Sequence, residues 1–233
     1  MIVQNSALSN SSPLSCGEGA RGRGALLLFS GWSASPHLFD RLQAEEGQDV
    51  WIVYDYRDLS FAADLSVYSR IDLLAWSMGV GVVEHLSHSG VFEKIAINSA
   101  TAINGTPLPV HNIYGIPENI FKGTLDNLNE EGLRRFNKRM CGNRTLLAAY
   151  EEVTPRPLSE VRDELALLYE RFAGQEEKQP TFAWDKAIVA RNDLIFPTAN
   201  QLLYWKDHVP VSPIEGGHYI FDSFSGWKEI LAL

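Results

Sequence analysis

Ile71-Asp72-Leu73-Leu74-Ala75-Trp76-Ser77-Met78-Gly79 is the stretch on which the reading of this chain turns. A short apolar run reads as a buried strand. The Ser-x-Gly after it reads as a sharp strand-to-helix turn that lifts the Ser77 hydroxyl out of the sheet. Gly79 supplies a small residue where strand and helix must approach, whereas Ala75 stands where glycine is usual. Val82, Val83 and Leu86 follow at helical spacing, which predicts a helix over 80–88 closing near Ser89-Gly90. Taken alone, the turn is also readable as an ordinary strand–helix junction in which Ser77 caps the helix. A serine hydroxyl is a weak nucleophile, so the turn gains chemical meaning only if a base and an acid arrive from elsewhere.

Later segments contain those residue types, in the chain order Ser, Asp, His. Gly216-Gly217-His218 follows the apolar run Val211–Ile214, and a loop beyond a strand gives a general base room to reach the serine. Asp193 follows Ala187–Ala190 by three residues. A carboxylate there can accept an imidazole N–H and fix its tautomer; the alternative is a turn-forming Asn-Asp pair. Asp55 and Asp222 compete for the acid's role from places that fit the strand order less well. His37 and His111 are loop residues able to line an entrance, while His85, His88 and His208 read as surface or packing residues. Phe29-Ser30-Gly31-Trp32 leaves the first strong strand where the backbone N–H of Trp32, with that of Met78, can point at a developing oxyanion. The Trp32 side chain itself reads as packing under that loop.

Six apolar runs recur along the chain: Ala25–Phe29, Val50–Tyr54, Ile71–Ala75, Ile95–Asn98, Ala187–Ala190 and Val211–Ile214. Strands separated by helix-length segments predict crossover connections, a mostly parallel sheet and helices on both of its faces. With the Ser, Asp, His order, this is an α/β fold of the α/β-hydrolase kind. The rhythm stops between Asn104 and Pro180. There a turn-rich opening precedes helices expected at Leu128–Met140, Thr145–Val153 and Leu158–Phe172, the last with a polar first turn around Ser159 and Arg162-Asp163-Glu164. We therefore expect a helical lid over 104–180 on a core of 25–103 and 181–233, with a final helix from about Phe221 to Leu231. Residues 1–24 are small and polar and read as a tail plus a short edge strand, not a signal peptide.

The 233 residues are 45% hydrophobic and 21% charged, as in a globular protein with one sizeable domain. No apolar run approaches the ~20 residues of a membrane span. A net charge of −9 argues against general nucleic-acid binding and against an anionic membrane surface. Two cysteines, Cys16 and Cys141, form no disulfide framework, which favours the cytoplasm. In that compartment the Asn10 and Asn143 sequons carry no meaning. No Cys/His/Asp cluster has ligand spacing, so neither metal nor organic cofactor is expected. Against the acidic background, Lys122, Arg134, Arg135, Lys138, Arg139 and Arg144 gather in one region, several at helical spacing. They read either as a wet helix face or as a patch for an acidic or phosphate-bearing partner.

Several longer stretches resemble the BioG type of pimeloyl-[acyl-carrier protein] methyl ester esterase. They are Leu28-Phe29-Ser30-Gly31-Trp32, Tyr54-Asp55-Tyr56-Arg57-Asp58, Leu74 to Gly79, Ala102 to Pro107, Gly115-Ile116-Pro117, Phe121 to Leu125 and Phe136 to Gly142. The resemblance covers about residues 25–222, and Ala75 before Trp-Ser-Met-Gly matches the family's own pattern. It implies hydrolysis of the methyl ester of pimeloyl-[acyl-carrier protein], a late step towards the pimeloyl precursor of biotin. Carried onto this chain, Ser77 is the nucleophile, His218 the base and Asp193 its orienting acid, with the Trp32 and Met78 amides as oxyanion hole. The partner is then an acyl-carrier protein, for which the basic patch is a candidate face. The alternatives are a short-chain carboxylesterase or thioesterase with the same triad, and a non-catalytic binder of acyl-carrier protein.

Overall fold

Leu26-Leu27-Leu28 and Leu73-Leu74 are adjacent apolar residues without polar alternation, a pattern suited to strands buried on both faces. The computed structural model, which describes residues 1–5, 24–176 and 179–233, places them in two central strands of a seven-stranded sheet. Cys16, the Asn10 sequon and the expected tail lie outside the described residues, apart from a short edge strand.

That edge is β1 (Ile2–Asn5), antiparallel to β3 (Asp49–Tyr54). The other strands, β2 (Gly24–Phe29), β4 (Arg70–Trp76), β5 (Ile97–Ile103), β6 (Lys186–Ala190) and β7 (Val211–Ile214), complete the order β1-β3-β2-β4-β5-β6-β7 with parallel pairing. The chain steps from β2 outward to β3 and returns to β4 on the other side of β2. Connections therefore reverse direction between β2 and β4, the switch point at which open α/β sheets hold their sites. The loops after Phe29 and Trp76 both lie there.

The helix after β4 is α1 (Met78–Ser87), which starts two residues earlier than its spacing predicted. Gly79 permits that start: a Cβ on it would sit 2.3 Å from the Phe29 carbonyl oxygen. Among the described residues, the chain between β5 and β6 forms α2 (Glu118–Asp126), α3 (Glu130–Cys141), α4 (Arg144–Glu151) and α5 (Leu158–Phe172), with no further strand of the sheet. Asn129 and Asn143 cap α3 and α4, accepting from Gly132 N and Leu146 N at 2.8 Å, each cap contributing about 1 kcal/mol. Val161, Leu165, Leu168 and Phe172 form the buried stripe of α5, each worth about 1.5–3 kcal/mol relative to exposure.

Some expectations need correction. The strand placed at Ile95–Asn98 is β5, displaced because Val91–Lys94 form a 3-10 turn and because Ser99 and Thr101 interrupt the apolar signal. The final helix is broken into a 3-10 turn at Phe221–Ser223 and α7 (Trp227–Leu231). Ser225 and Gly226 separate them, paired through their backbone with Gln43. Helices α2 and α6 (Thr198–Trp205) were not anticipated, although Pro117 and Pro197 directly precede them as start signals. The supposedly polar first turn of α5 holds Glu164, which is fully buried.

Candidate active site

Ser77 ends β4 with φ 59° and ψ −124°, a backbone conformation costing about 1–3 kcal/mol that surrounding contacts must hold in place. Its N–H donates to Ile103 O at 2.9 Å, and its carbonyl accepts from Val80 N. The hydroxyl Oγ lies 2.8 Å from His218 Nε2, and His218 Nδ1 lies 2.8 Å from Asp193 Oδ2. All three side chains are buried. Ser77, His218 and Asp193, which follow three different strands (β4, β7 and β6), thus form one hydrogen-bonded chain.

Asp193 is held on both oxygens. Oδ1 accepts from Ile195 N at 2.8 Å and Phe196 N at 2.9 Å, and Oδ2 also accepts from Gln201 Nε2 at 3.0 Å. With every contact a donor, the carboxylate supplies no proton, so the proton between it and His218 sits on Nδ1 and leaves Nε2 to accept from Ser77. His218 is fixed through its backbone as well: its carbonyl accepts from Trp76 Nε1 at 3.0 Å and Asn104 Nδ2 at 2.9 Å. Phe196 stacks on the imidazole with 6.0 Å between ring centroids. Trp76, one residue before Ser77, therefore ties the serine's strand to the histidine's loop. Asn104 and Phe196 were missed in the sequence because they act through a backbone group and a ring face, and Gln201 because it reaches Asp193 from a helix that the sequence reading did not anticipate.

The backbone N–H groups of Trp32 and Met78 donate to no partner among the described residues. Both residues, with Ser77, line a small cavity of about 30 Å³ whose walls include Phe121, Phe136, Leu165 and Arg139. That is room for about two waters. Trp32 meets Phe136 edge-to-face at 4.8 Å, and its indole N–H donates to Val161 O at 2.8 Å. Ser33, also at positive φ (65°), donates its N–H to Glu164 Oε2 at 3.4 Å.

Glu164 collects further donors: Tyr56 N at 2.8 Å and Arg156 Nη1 at 2.7 Å. Arg156 also pairs with Asp55 at 3.0 Å, and Arg57 forks onto Asp55 at 2.8 and 2.6 Å. Burial raises the Glu164 carboxyl above its ordinary value despite the pull of Arg156. Burial also acts upward on Asp55, but hydrogen bonds from Arg57 and the Arg156 charge hold it below the usual carboxylate range. The signal for Glu164 was present in the sequence: it is a charged residue on the apolar stripe Val161-Leu165-Leu168.

Of the competing acids, Asp55 is committed to this network and Asp222 to Arg41. His37 bonds Asp40, and His111 accepts from Ile113 N and Tyr114 N in its own turn; neither lines the Ser77 cavity. His208 is half-buried against Tyr204, not a plain surface residue. The basic residues separate. Lys122, Arg134 and Arg135 pair with Asp126, Glu151 and Glu131, whereas Lys138, Arg139 and Arg144 make no ion pair among the described residues, and only Arg139 of the six lines the Ser77 cavity. No helix among the described residues is long and apolar enough to cross a membrane.

The sequence model of a family described as "Pimeloyl-ACP methyl esterase BioG" matches residues 18–230. A Haemophilus influenzae relative, described only as an uncharacterized protein, is 40% identical over 210 residues, covering 90% of this chain and 95% of its own length. The crystal structure of BioG from Haemophilus influenzae superposes with a TM-score of 0.86 at 37% identity, covering 98% of this chain and 99% of that one. A malonyl-[acyl-carrier protein] O-methyltransferase of Bacteroides fragilis is 38% identical over 198 residues, or 84% of this chain but 39% of that protein. An esterase from Exiguobacterium antarcticum shares the fold, with a TM-score of 0.65 at 15% identity, covering 99% of this chain and 93% of that one. This α/β-hydrolase chain belongs to the BioG family of pimeloyl-ACP methyl esterases, and is a carboxylic ester hydrolase.

Proposed function

We propose that this chain hydrolyses the methyl ester of pimeloyl-[acyl-carrier protein], releasing methanol and the free carboxylate, with Ser77, His218 and Asp193 as its catalytic triad. The observation that carries the reading is the unbroken hydrogen-bond chain from Ser77 Oγ through His218 to Asp193. His218 Nε2 takes the serine proton as Oγ attacks the ester carbonyl, and Asp193 stabilises the imidazolium that forms. The negative oxygen is received by the Trp32 and Met78 amides, which have no competing acceptor. Protonated His218 then gives its proton to the departing methoxide, and water repeats the sequence on the acyl-enzyme.

Family membership supports the substrate. So does the Bacteroides relative, whose name describes methylation of an acyl-carrier protein substrate: a methyl ester made on a carrier needs an enzyme to remove it. In this reading α2–α5 cover the site as a lid, and the enzyme works in the cytoplasm. An acidic carrier is repelled at long range by a −9 protein, and the unpaired Lys138, Arg139 and Arg144 offset that locally. The test is intact-mass measurement of pimeloyl-carrier methyl ester after incubation with the purified enzyme. Loss of CH₂ from the carrier is the expected result. Loss of the whole acyl group would mean thioester cleavage, and an unchanged mass with full activity on small esters would reject the carrier-linked substrate.

A further inference from the structure

Glu164 is fully buried and paired with Arg156. Stability alone is a poor reason for such a pair, since well-packed apolar side chains of the same volume often serve a fold as well or better. A better reason lies in what the carboxylate touches besides Arg156. Oε1 accepts from Tyr56 N at 2.8 Å and Oε2 from Ser33 N at 3.4 Å. Those amides belong to the turns after β3 and β2, at the same end of the sheet as Ser77. Each turn holds a non-glycine residue at positive φ, Asp55 at 59° and Ser33 at 65°, a conformation that persists only where the surroundings impose it.

The turn after β2 carries Trp32 between two fixed points. Before it, the Ser30 carbonyl accepts from the Tyr56 hydroxyl at 2.7 Å, and Ser30 N donates to Val53 O at 2.9 Å. After it, Ser33 N donates to Glu164. The indole is held as well, by Val161 O, one turn before Glu164 on α5. Glu164 thus reaches both fixed points. It holds Ser33 directly and Ser30 through Tyr56, which gives its N–H to the carboxylate and its O–H to the Ser30 carbonyl. Arg156, at 2.7 Å from Oε2, balances the charge, so that the anchor does not oppose an anion forming nearby.

We infer that Glu164 and Tyr56 are positioning residues for the reaction: they set the direction of the Trp32 N–H, and through it the stabilisation of the oxyanion. That role rests on the oxyanion hole proposed above and not on the identity of the ester.

The test uses a trifluoromethyl ketone. Ser77 Oγ adds to its carbonyl carbon, the serine proton passes to His218, and the carbonyl oxygen becomes an anion that mimics the tetrahedral intermediate. In the wild type the Trp32 amide proton should move downfield as this adduct forms. Glu164→Gln keeps the shape but turns one oxygen into a donor, so only one of the two turns keeps its acceptor. Tyr56→Phe removes the hydroxyl alone. Each is expected to lower kcat on p-nitrophenyl acetate about 10- to 100-fold, to leave KM within about twofold, and to reduce the Trp32 shift. Glu84→Gln is the control. Glu84 is also a buried carboxylate that accepts backbone N–H groups, from Thr181 and Phe182, but it holds the return from α5 to β6. Its loss should lower the urea midpoint at unchanged kcat. Wild-type kcat and Trp32 shift in either folded variant overturn the inference, as does a loss confined to KM or an equal loss of kcat in Glu84→Gln. Should Glu164→Gln fail to fold, Tyr56→Phe decides alone. Absence of a Trp32 shift in the wild type is a separate result, which removes the oxyanion reading and the positioning role with it.

Discussion

Replacing Asp193 with Asn tests the hydrogen-bond chain with almost no change of shape. Asp193 Oδ1 accepts from Ile195 N and Phe196 N at 2.8 and 2.9 Å. In the variant those two donors claim the amide oxygen and turn the NH₂ towards His218 and Gln201. An NH₂ donates, so His218 Nδ1 must accept, and the imidazole proton moves to Nε2, where it points at Ser77 Oγ. The base is then in the tautomer that cannot take the serine proton. The corresponding change in another Ser-His-Asp enzyme costs about 10⁴-fold in kcat, or about 5 kcal/mol of barrier. Stability should change far less. Gln201 Nε2 now faces a donor, but turning its amide over brings forward Oε1, which is buried and without a partner. The cost is the bond from Gln201 to Phe196 O, now 2.8 Å, whose loss leaves that buried carbonyl facing an oxygen, about 1–3 kcal/mol. The assay is kcat on a p-nitrophenyl ester, with imidazole ¹⁵N shifts to read the tautomer and urea melts to read stability. A variant within about tenfold of wild-type kcat, still protonated at Nδ1, would refute the reasoning.

Gly105→Ala should lower kcat about 100-fold, because its Cβ would sit 2.4 Å from the Ser77 carbonyl oxygen and must displace the serine's turn; an unchanged kcat in a folded variant contradicts this. Glu164 carries a pH signature. Its folded carboxyl binds a proton more tightly than the ordinary value of 4.5, so its contribution to stability is fully present below that pH and is lost as pH rises through the raised folded value. Urea midpoints of Glu164→Gln relative to wild type should therefore shift in the variant's favour between acid and neutral pH, and a constant difference argues against it. Cys141 is buried, and burial pushes its thiol up to about 12; in a Cys16→Ser background, thiol reagents should label it only on unfolding. Arg139→Glu should raise KM for the carrier-linked ester about fivefold, more at low salt, and Arg135→Glu less, since Arg135 already pairs with Glu131. Equal effects would place the carrier elsewhere.

Most strands legible in the sequence were those with uninterrupted apolar runs, because burial on both faces leaves no room for polar residues; β7, with Ser212 and Pro213, is the exception. β5 was blurred where Ser99 spends its hydroxyl on buried Asp72 at 2.6 Å, a contact no local pattern announces. Ser77, Asp193 and His218 could be picked out as candidates because each lies within four residues of a strand's end. Their supports could not. Asn104 bridges Ala190 N and the His218 carbonyl, and Gln201 reaches Asp193 from a helix that the sequence reading did not anticipate. These are contacts across the ends of different strands, visible only once the sheet is assembled. The basic cluster was legible only in part for a different reason: helical spacing fixes which residues share a face, but not which of them already have acidic partners, as Lys122, Arg134 and Arg135 do.

The hydrogen bonds from Trp32 Nε1 to Val161 O and from Ser33 N to Glu164 join the loop after β2 to α5. At the other end of the site, Tyr219 N donates to Met140 O at the end of α3. The helices inserted between β5 and β6 are thus not an exchangeable module resting on a finished sheet. Transplanting them from a relative to alter substrate preference would also replace the scaffolding of the loop after β2 and of the residue beside His218. A chimaera must therefore carry Trp32, Ser33, Tyr56 and Tyr219 across with α3 and α5, or accept that a change in selectivity comes with a loss of rate.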